Sequence, residues 1–288
     1  MDRRTELTAF LRSRRARISP EQVGLRSYGT GRRRVPGLRR EEVAHLAGVS
    51  VDYYLRFEQG RKNGVSDAVL DSVARTLCLT DVERRYLHLL ARPGRRHASD
   101  AYFADPTGSM ELRPGLRQLL DSLADSPAYV VGRRGDVLAC NAIAEEVFFR
   151  HSPPHRRNMP RLVFQHPHSL TTYRDWAAKA YDIVAFLRLD AARHPDDPLL
   201  ATLIADLSKH PDFRRLWQEV HPVRDKDTGT YRLHHPAAGE FTLAFRALRL
   251  PEAPDQTLIA YTVEPASPAE AAMAAIAHTM THPAAPER

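Results

Sequence analysis

The chain has 288 residues, of which 43% are hydrophobic and 27% charged, a composition typical of a folded protein with about two domains. No apolar run approaches the ~20 residues that a membrane span needs, and the start Met-Asp-Arg-Arg lacks the apolar core of a signal peptide. We therefore expect a cytoplasmic protein with no membrane partner. The two cysteines, Cys78 and Cys140, have no spacing that predicts a disulfide framework or a zinc site, and we interpret both as single buried thiols.

Charge is distributed unevenly along the chain. Residues 1–98 hold 21 Lys and Arg against 11 Asp and Glu, a net of +10, whereas residues 99–288 hold 21 against 24, a net of −3. The basic excess thus lies wholly in the amino-terminal part. A polyanion such as nucleic acid is the partner that this distribution predicts for that part of the chain.

The first predicted element is an amphipathic helix over residues 4–17. Glycines and a proline then exclude a regular helix between residues 23 and 37. Arg32, Arg33 and Arg34 make this loop a predicted phosphate contact, and a solvated charge run is the alternative interpretation.

Residues 37–61 contain two short helical patterns joined by a tight turn at Gly48. Glycine suits a turn with positive φ, Ala44 is small where two helices cross closely, and Ser50 can cap the second helix. These features at these offsets predict a helix-turn-helix, whose second helix enters the major groove of DNA. An ordinary helical hairpin in a core is the alternative.

Two further helices complete the amino-terminal part. Ser66 is the predicted cap of a helix that runs to about Leu79, and a fifth helix starts near Asp81. The sequence therefore predicts an all-α five-helix domain over residues 1–95. Prolines and glycines predict an irregular linker over residues 96–111.

Residues 112–288 predict an α+β domain with a mainly antiparallel sheet and interposed helices. Two strands flank Arg134-Gly135, and the last two strands begin near Glu240 and Gln256. One long helix is predicted over about 169–194, and a hairpin is predicted around residues 227–229.

Residues Arg40 to Phe57 resemble the lambda-repressor/Cro-like family, also called the XRE family, and the likeness covers the five-helix domain. It implies DNA contacts from Arg40, Ser50, Val51, Asp52, Tyr53 and Arg56, and phosphate contacts from the following loop at Arg61, Lys62 and Asn63.

The side chains of the second helix suit these roles chemically. Arg56 can donate to both O6 and N7 of a guanine. Asp52 can accept from cytosine N4 or can instead orient Arg56, and Tyr53 can contact a thymine methyl or a phosphate. For each of these residues, a merely solvated side chain is the alternative.

A second resemblance covers nearly the whole chain. The string R-R-R-V-P-G-L-R-R-E-E-V-A from Arg32, together with several carboxyl-terminal segments, is similar to the MmyB-like transcription regulators. The carboxyl-terminal segments are P-A-Y-V-V from Pro127, D-V-L-A-C-N from Asp136, Arg157-Asn158, Asp175-Trp176, F-R-R-L-W from Phe213 and H-P-A-A-G-E from His235. The resemblance implies a PAS-like sensor domain, with a long-chain fatty acid as one suggested ligand. Cys140 departs from the family's usual tryptophan, which should reshape any pocket.

A pocket for a small molecule needs apolar walls and a few polar anchors. The predicted walls are Tyr129, Phe148, Phe164, Trp176, Tyr181 and Trp217, and the predicted anchors for a carboxylate are Asn141, Arg157, Asn158 or a histidine. The alternatives are that the aromatic residues fill the core and that Arg157-Asn158 is a structural clasp.

No catalytic or metal-binding motif is present in the sequence, so we expect no cofactor, no metal and no enzymatic activity. The favoured hypothesis is a one-component transcription regulator that binds operator DNA as a homodimer and senses a small apolar ligand. One alternative is a DNA-addressed enzyme that uses His166, His168, His235 and Glu240. The other is a protein-interaction module that docks a partner through exposed Trp176 and Trp217.

Overall fold

The computed structural model describes residues 2–25, 37–62, 64–92, 112–223, 227–250 and 253–282. The chain forms two compact units. The first unit combines Met1–Arg95 with Arg188–Ile204 and Arg214–Asp225, and the second contains the remaining segments. The predicted linker lies outside the described residues. Domain bounds at 1–95 and 112–288 stay a prediction, and two segments from the latter range belong to the first unit.

Five helices form within the described part of residues 2–92, as the sequence predicts. They are α1 Arg3–Arg17, α2 Arg40–Ala47, α3 Val51–Glu58, α4 Asp67–Thr76 and α5 Asp81–Ala91. The side chains of Asp2, Ser50, Ser66 and Thr80 cap α1, α3, α4 and α5 by accepting backbone N–H bonds that the first turn cannot satisfy.

The apolar core of the first unit draws on both parts of the sequence. Residues of the five helices, such as Phe10, Tyr54 and Tyr86, are fully buried. The same cluster includes Leu189 and Val223. The first unit is therefore built from segments that are distant in the chain, since the second of them begins only at Arg188.

The second unit is built on a sheet with five described strands. They are β1 Ala128–Val131, β2 Val137–Cys140, β3 Thr228–His235, β4 Gly239–Leu250 and β5 Ala253–Thr262. The strand order is β2-β1-β5-β4-β3, and every neighbouring pair is antiparallel. The predicted α+β class with an antiparallel sheet is confirmed.

Helices precede, interrupt and follow this sheet in the sequence. They are α6 Leu116–Ser122, α7 Ala142–Ala144, α8 Met159–Gln165, α9 Ser169–Thr172, α10 Trp176–Arg193, α11 Pro198–Leu207, α12 Pro211–Arg215 and α13 Pro268–Thr281. A π-helical turn, Glu145–Phe149, continues α7. None of the described helices is long and apolar enough to cross a membrane.

Two predicted elements are wrong in detail. The helix predicted over 169–194 is interrupted because Tyr173 bridges Leu233, and the backbone N–H of Arg174 donates to Arg232 at 2.9 Å. Thr228 and Gly229, which were predicted to lie in a hairpin turn, instead begin β3, and the turn follows His235. Both errors concern pairing across the sheet, which local spacing cannot reveal.

Cys78 is exposed, contrary to the prediction of a buried thiol. It follows the end of α4 with a φ of 46°, beyond the helical face that holds the core. Cys140 is half-buried, and burial together with the nearby carboxylate of Glu145 raises the pKa of its thiol to about 12.

Candidate functional site

The α2–α3 pair forms the predicted turn. Gly48 has a φ of 69°, and the N–H of Val49 donates to the carbonyl of Ala44 at 3.0 Å. The Ser50 hydroxyl accepts from the N–H of Tyr53 at 3.1 Å and so starts α3. The fully buried Ala44 provides the small side chain expected where two helices approach closely.

One face of α3 is buried and the other is exposed. Tyr54 and Phe57 lie in the core of the first unit. Asp52 and Arg56 form an ion pair on the exposed face, with 3.0 Å between the Arg56 Nε and a carboxylate oxygen. Val51, at the start of α3, is 49% exposed. Contact with a thymine methyl suits such a residue.

The residues that follow α3 extend the exposed basic surface. Arg61 and Lys62 are exposed, and the Lys62 ammonium lies 5.2 Å from the centre of the half-exposed Tyr53 ring. The structure thus brings together Ser50, Val51, Asp52, Tyr53, Arg56, Arg61 and Lys62 at α3 and the chain just after it. Arg32, Arg33, Arg34 and Asn63 lie outside the described residues.

Arg40 has a partner that sequence spacing did not indicate. Its Nε lies 2.8 Å from a carboxylate oxygen of Glu58, whose side chain is only 1% exposed. Arg15 of α1 approaches the other oxygen of Glu58 at 3.1 Å. Two arginines therefore neutralise a buried acid at the end of α3, and the Arg40 side chain remains partly exposed. The signal in the sequence was Glu58 itself, an acid on the core side of the helix.

A small cavity lies in the second unit, around the π-helical turn and the helices α8 and α9. Its volume is about 30 Å³, space for roughly two water molecules. One group of lining residues is apolar or aromatic: Val147, Phe148, Met159, Leu162 and Tyr173. The other group is basic or hydroxylic: Arg150, His151, Ser152, His166, His168, Ser169 and Thr172.

Three imidazoles and one guanidinium gather at the polar side of this cavity. The ring centre of His151 lies 4.1 Å from that of His168 and 6.5 Å from that of His166. The Arg150 Nε donates to the His151 Nε2 at 2.9 Å. Partial burial, then the nearby Arg150 and the other two histidines, lower the pKa of His151. An anion bound beside Arg150 would favour the protonated form of His151.

The structure brings one predicted ligand residue, Phe148, to the cavity lining. Tyr129 packs behind it, edge-to-face, with ring centres 5.9 Å apart. Phe164 and Trp176 pack against each other with ring centres 5.7 Å apart, and Tyr181 is half-buried on α10. Trp217 belongs to the first unit.

The predicted polar anchors hold the backbone of the second unit. Asn141 is buried, and its side-chain oxygen accepts from the N–H of Ala128 and of Ala144 at 3.1 and 3.0 Å. Arg157 pairs with Glu145 and donates to the Ser152 carbonyl at 2.8 Å.

Asn158 caps α8 by accepting from the N–H of Arg161 at 3.2 Å. The structure therefore does not bring Asn141, Arg157 or Asn158 to the cavity lining. The histidines that do line it include the two of the His-Pro-His segment at 166–168, and a histidine was among the anchors expected for a carboxylate.

The fold and these sites define a helix-turn-helix transcription regulator with a separate ligand-binding region. Two family models match the chain: a helix-turn-helix domain at residues 6–87, and the MmyB-like transcription regulator ligand binding domain at residues 112–276. Because the second match spans more than half of the sequence, the chain belongs to the family of MmyB-like transcription regulators. No curated protein matches the chain.

Proposed function

We propose that this regulator reads operator DNA through α3 and that a small apolar molecule with an acidic head, such as a fatty acid, controls it from the cavity. The DNA arm of the proposal is supported by the exposed Asp52–Arg56 pair beside Arg61 and Lys62, in a part of the chain with a net charge of +10. Phosphate contacts from Arg61 and Lys62, which follow α3, would position this helix on the DNA, and Arg56 would contact a guanine.

The proposal also includes homodimerisation on two half-sites one helical turn apart, because helix-turn-helix proteins commonly read DNA in this way. It further includes a PAS-like sensor in the second unit and action in the cytoplasm, where a regulator meets the chromosome. Contacts from Arg40 and from the residues outside the described ranges remain part of the proposed DNA interface.

One observation supports the proposed ligand: apolar side chains and a cluster of basic groups line the same cavity. A carboxylate would pair with Arg150 and the histidines, while a hydrocarbon tail would lie against Phe148 and Leu162. A tail longer than the present cavity requires the apolar lining to part. Such a ligand would favour the opened arrangement, which is how binding can shift a conformational equilibrium.

The alternative functions receive less support. His235 pairs with Glu146 at 3.3 Å and Glu240 pairs with Arg174 at 2.9 Å. Within the described ranges, no three His, Cys, Asp or Glu side chains are placed to hold a metal ion. Trp217 is buried and Trp176 half-buried, so neither forms the exposed aromatic surface that a docking module would use.

Calorimetric titration of the full-length protein with lauric acid and with dodecanol tests the ligand arm. We expect lauric acid to bind at least about tenfold more tightly, because a charge-assisted hydrogen bond contributes about 1.5–3 kcal/mol. Leu162→Trp should fill the cavity and abolish binding. Leu170→Trp, at a position that is 63% exposed, is the control that should leave it unchanged. Equal binding of the acid and the alcohol would refute the acidic-head assignment.

Selection of duplexes from a random library tests the DNA arm. We expect an enriched sequence that the protein binds at least ~10³-fold more tightly than random DNA at physiological salt. Equal affinity for both would overturn the sequence-specific part of the proposal.

A further inference from the structure

Arg188, in the last part of α10, is a fully buried cation within the first unit. Its guanidinium forms an ion pair with Glu6 of α1 and donates to the carbonyl of Trp217. It also lies 4.4 Å from the centre of the Trp217 ring. Tyr86 of α5 donates to the same Glu6 oxygen at 2.6 Å. One carboxylate thus joins α1, α5 and the segment that begins at residue 188.

A second buried cation strengthens this junction. The Arg14 side chain is 1% exposed and lies 2.8 Å from the Glu83 carboxylate of α5. It also donates to the carbonyl of His221 at 2.9 Å. His221 has a φ of 48°, so the backbone turns sharply where its carbonyl meets Arg14. Separating α1 from these segments would leave buried charges without partners, which is strongly unfavourable.

The other face of α1 meets the end of the DNA-reading helix. The Nε of Arg4 donates to the Gln59 carbonyl at 2.9 Å, and Arg15 pairs with Glu58 at 3.1 Å. Glu58 is the last residue of α3. Helix α1 therefore connects Arg188 on one side with the end of α3 on the other, entirely within the first unit.

Helix α10 is continuous over Trp176–Arg193, and its residues before 188 belong to the second unit. We propose that the buried Glu6–Arg188 pair is a regulatory link: a change in α10 moves α1, and α1 changes the position of α3. The inference rests on the proposed function for the identity of the signal. The link itself concerns only residues of the first unit and DNA.

Hydrogen exchange of the full-length protein, with and without a duplex selected for tight binding, tests the link without any ligand. Coupling is reciprocal, so DNA on α3 must also alter the segment around Arg188. We expect the exchange rates of amides 189–193 to change at least fivefold on DNA binding. Unchanged rates at these amides would overturn the proposal.

A matched pair of double variants separates coupling from stability. Glu6→Gln with Arg188→Met removes the buried charges, and Asp71→Asn with Arg84→Met removes a more exposed pair, at 2.9 Å, in the same unit. We expect the first variant to bind DNA within about threefold of the unmodified protein but to lose the exchange response at 189–193. The second variant should keep both the DNA affinity and the exchange response at 189–193. A full response in the first variant would refute the role of the pair.

If the first variant does not fold, the exchange experiment on the unmodified protein still tests whether DNA binding alters the segment around Arg188. Measurements with lauric acid distinguish the proposed ligand from the proposed Glu6–Arg188 link. Failure of lauric acid to bind or to change DNA affinity counts against the proposed ligand alone. A lauric acid effect on DNA affinity that is equal in the first variant and the unmodified protein refutes the link alone.

Discussion

Replacing Gly37 by alanine should disturb the packing of α1 against the chain that enters α2. A Cβ at this position would lie 2.2 Å from the carbonyl oxygen of Arg15, and 2.5 and 2.8 Å from the Cα and carbonyl carbon of Ala16. These are backbone atoms of a helix, so they cannot rotate away as a side chain can. The N–H of Leu38 already donates to that Arg15 carbonyl at 3.1 Å, and this bond would be strained as the chain shifts.

The size of the effect follows from this geometry. Extra methyl groups in packed regions cost about 1–3 kcal/mol, occasionally more, and three close backbone contacts place Gly37→Ala at roughly 3 kcal/mol or above. For a unit of this size, each kcal/mol lowers the melting temperature by about 2–4 °C. We therefore expect a drop of roughly 6–12 °C in the thermal unfolding of the first unit, measured by circular dichroism of the full-length protein.

Gly48→Ala is the matched control for this prediction. Gly48 has a φ of 69°, and a Cβ there would meet no atom within 4 Å. Alanine in the left-handed region costs about 1–2 kcal/mol from the backbone alone. A loss of stability for Gly37→Ala that does not exceed the loss for Gly48→Ala would refute the close-contact argument.

Three further changes have defined outcomes. Arg56→Ala should cost about 1–3 kcal/mol of discrimination at one base pair of the selected duplex, measured by competition binding; an unchanged base preference would contradict the role of Arg56. Asn141→Ala should lower the free energy of unfolding by about 2–4 kcal/mol in urea, because two buried backbone N–H groups lose their acceptor; a loss below about 1 kcal/mol would contradict this role. Burial and the nearby Arg188 and Arg14 lower the pKa of His221, although Glu6 opposes them. The unfolded imidazole then takes up a proton first as pH falls through about 6.5, so stability is full above that pH and decreases below it. His221→Asn, which tolerates the positive φ, should flatten this part of a pH–stability profile, and an unchanged slope would refute the assignment.

Local sequence patterns were sufficient to predict the α2–α3 turn. Gly48 tolerates positive φ, Ser50 caps α3, and the spacing of Tyr54 and Phe57 divides α3 into a buried and an exposed face. Each of these features depends on the residue and its near neighbours alone. For the same reason the five amino-terminal helices and the antiparallel strands were predictable.

Only the tertiary structure decided which distant groups meet. The pairing of Arg40 with Glu58, the burial of Arg188 against Glu6, and the gathering of His151, His166 and His168 all depend on how separate elements approach one another. No spacing rule predicts a contact between residues 182 positions apart. The break between α9 and α10 arises in the same way, because a strand far along the chain supplies the partner for Tyr173.

The sequence by itself determined that this protein has a basic helix-turn-helix part and an α+β part, because composition and periodicity are properties of the local chain. The tertiary structure decided that residues 188–204 and 214–225 complete the first unit. The reason is energetic. Apolar groups such as Leu189 and Val223 are favoured where their neighbours exclude water, whereas the buried charge of Arg188 needs the partner that Glu6 provides to offset its loss of hydration.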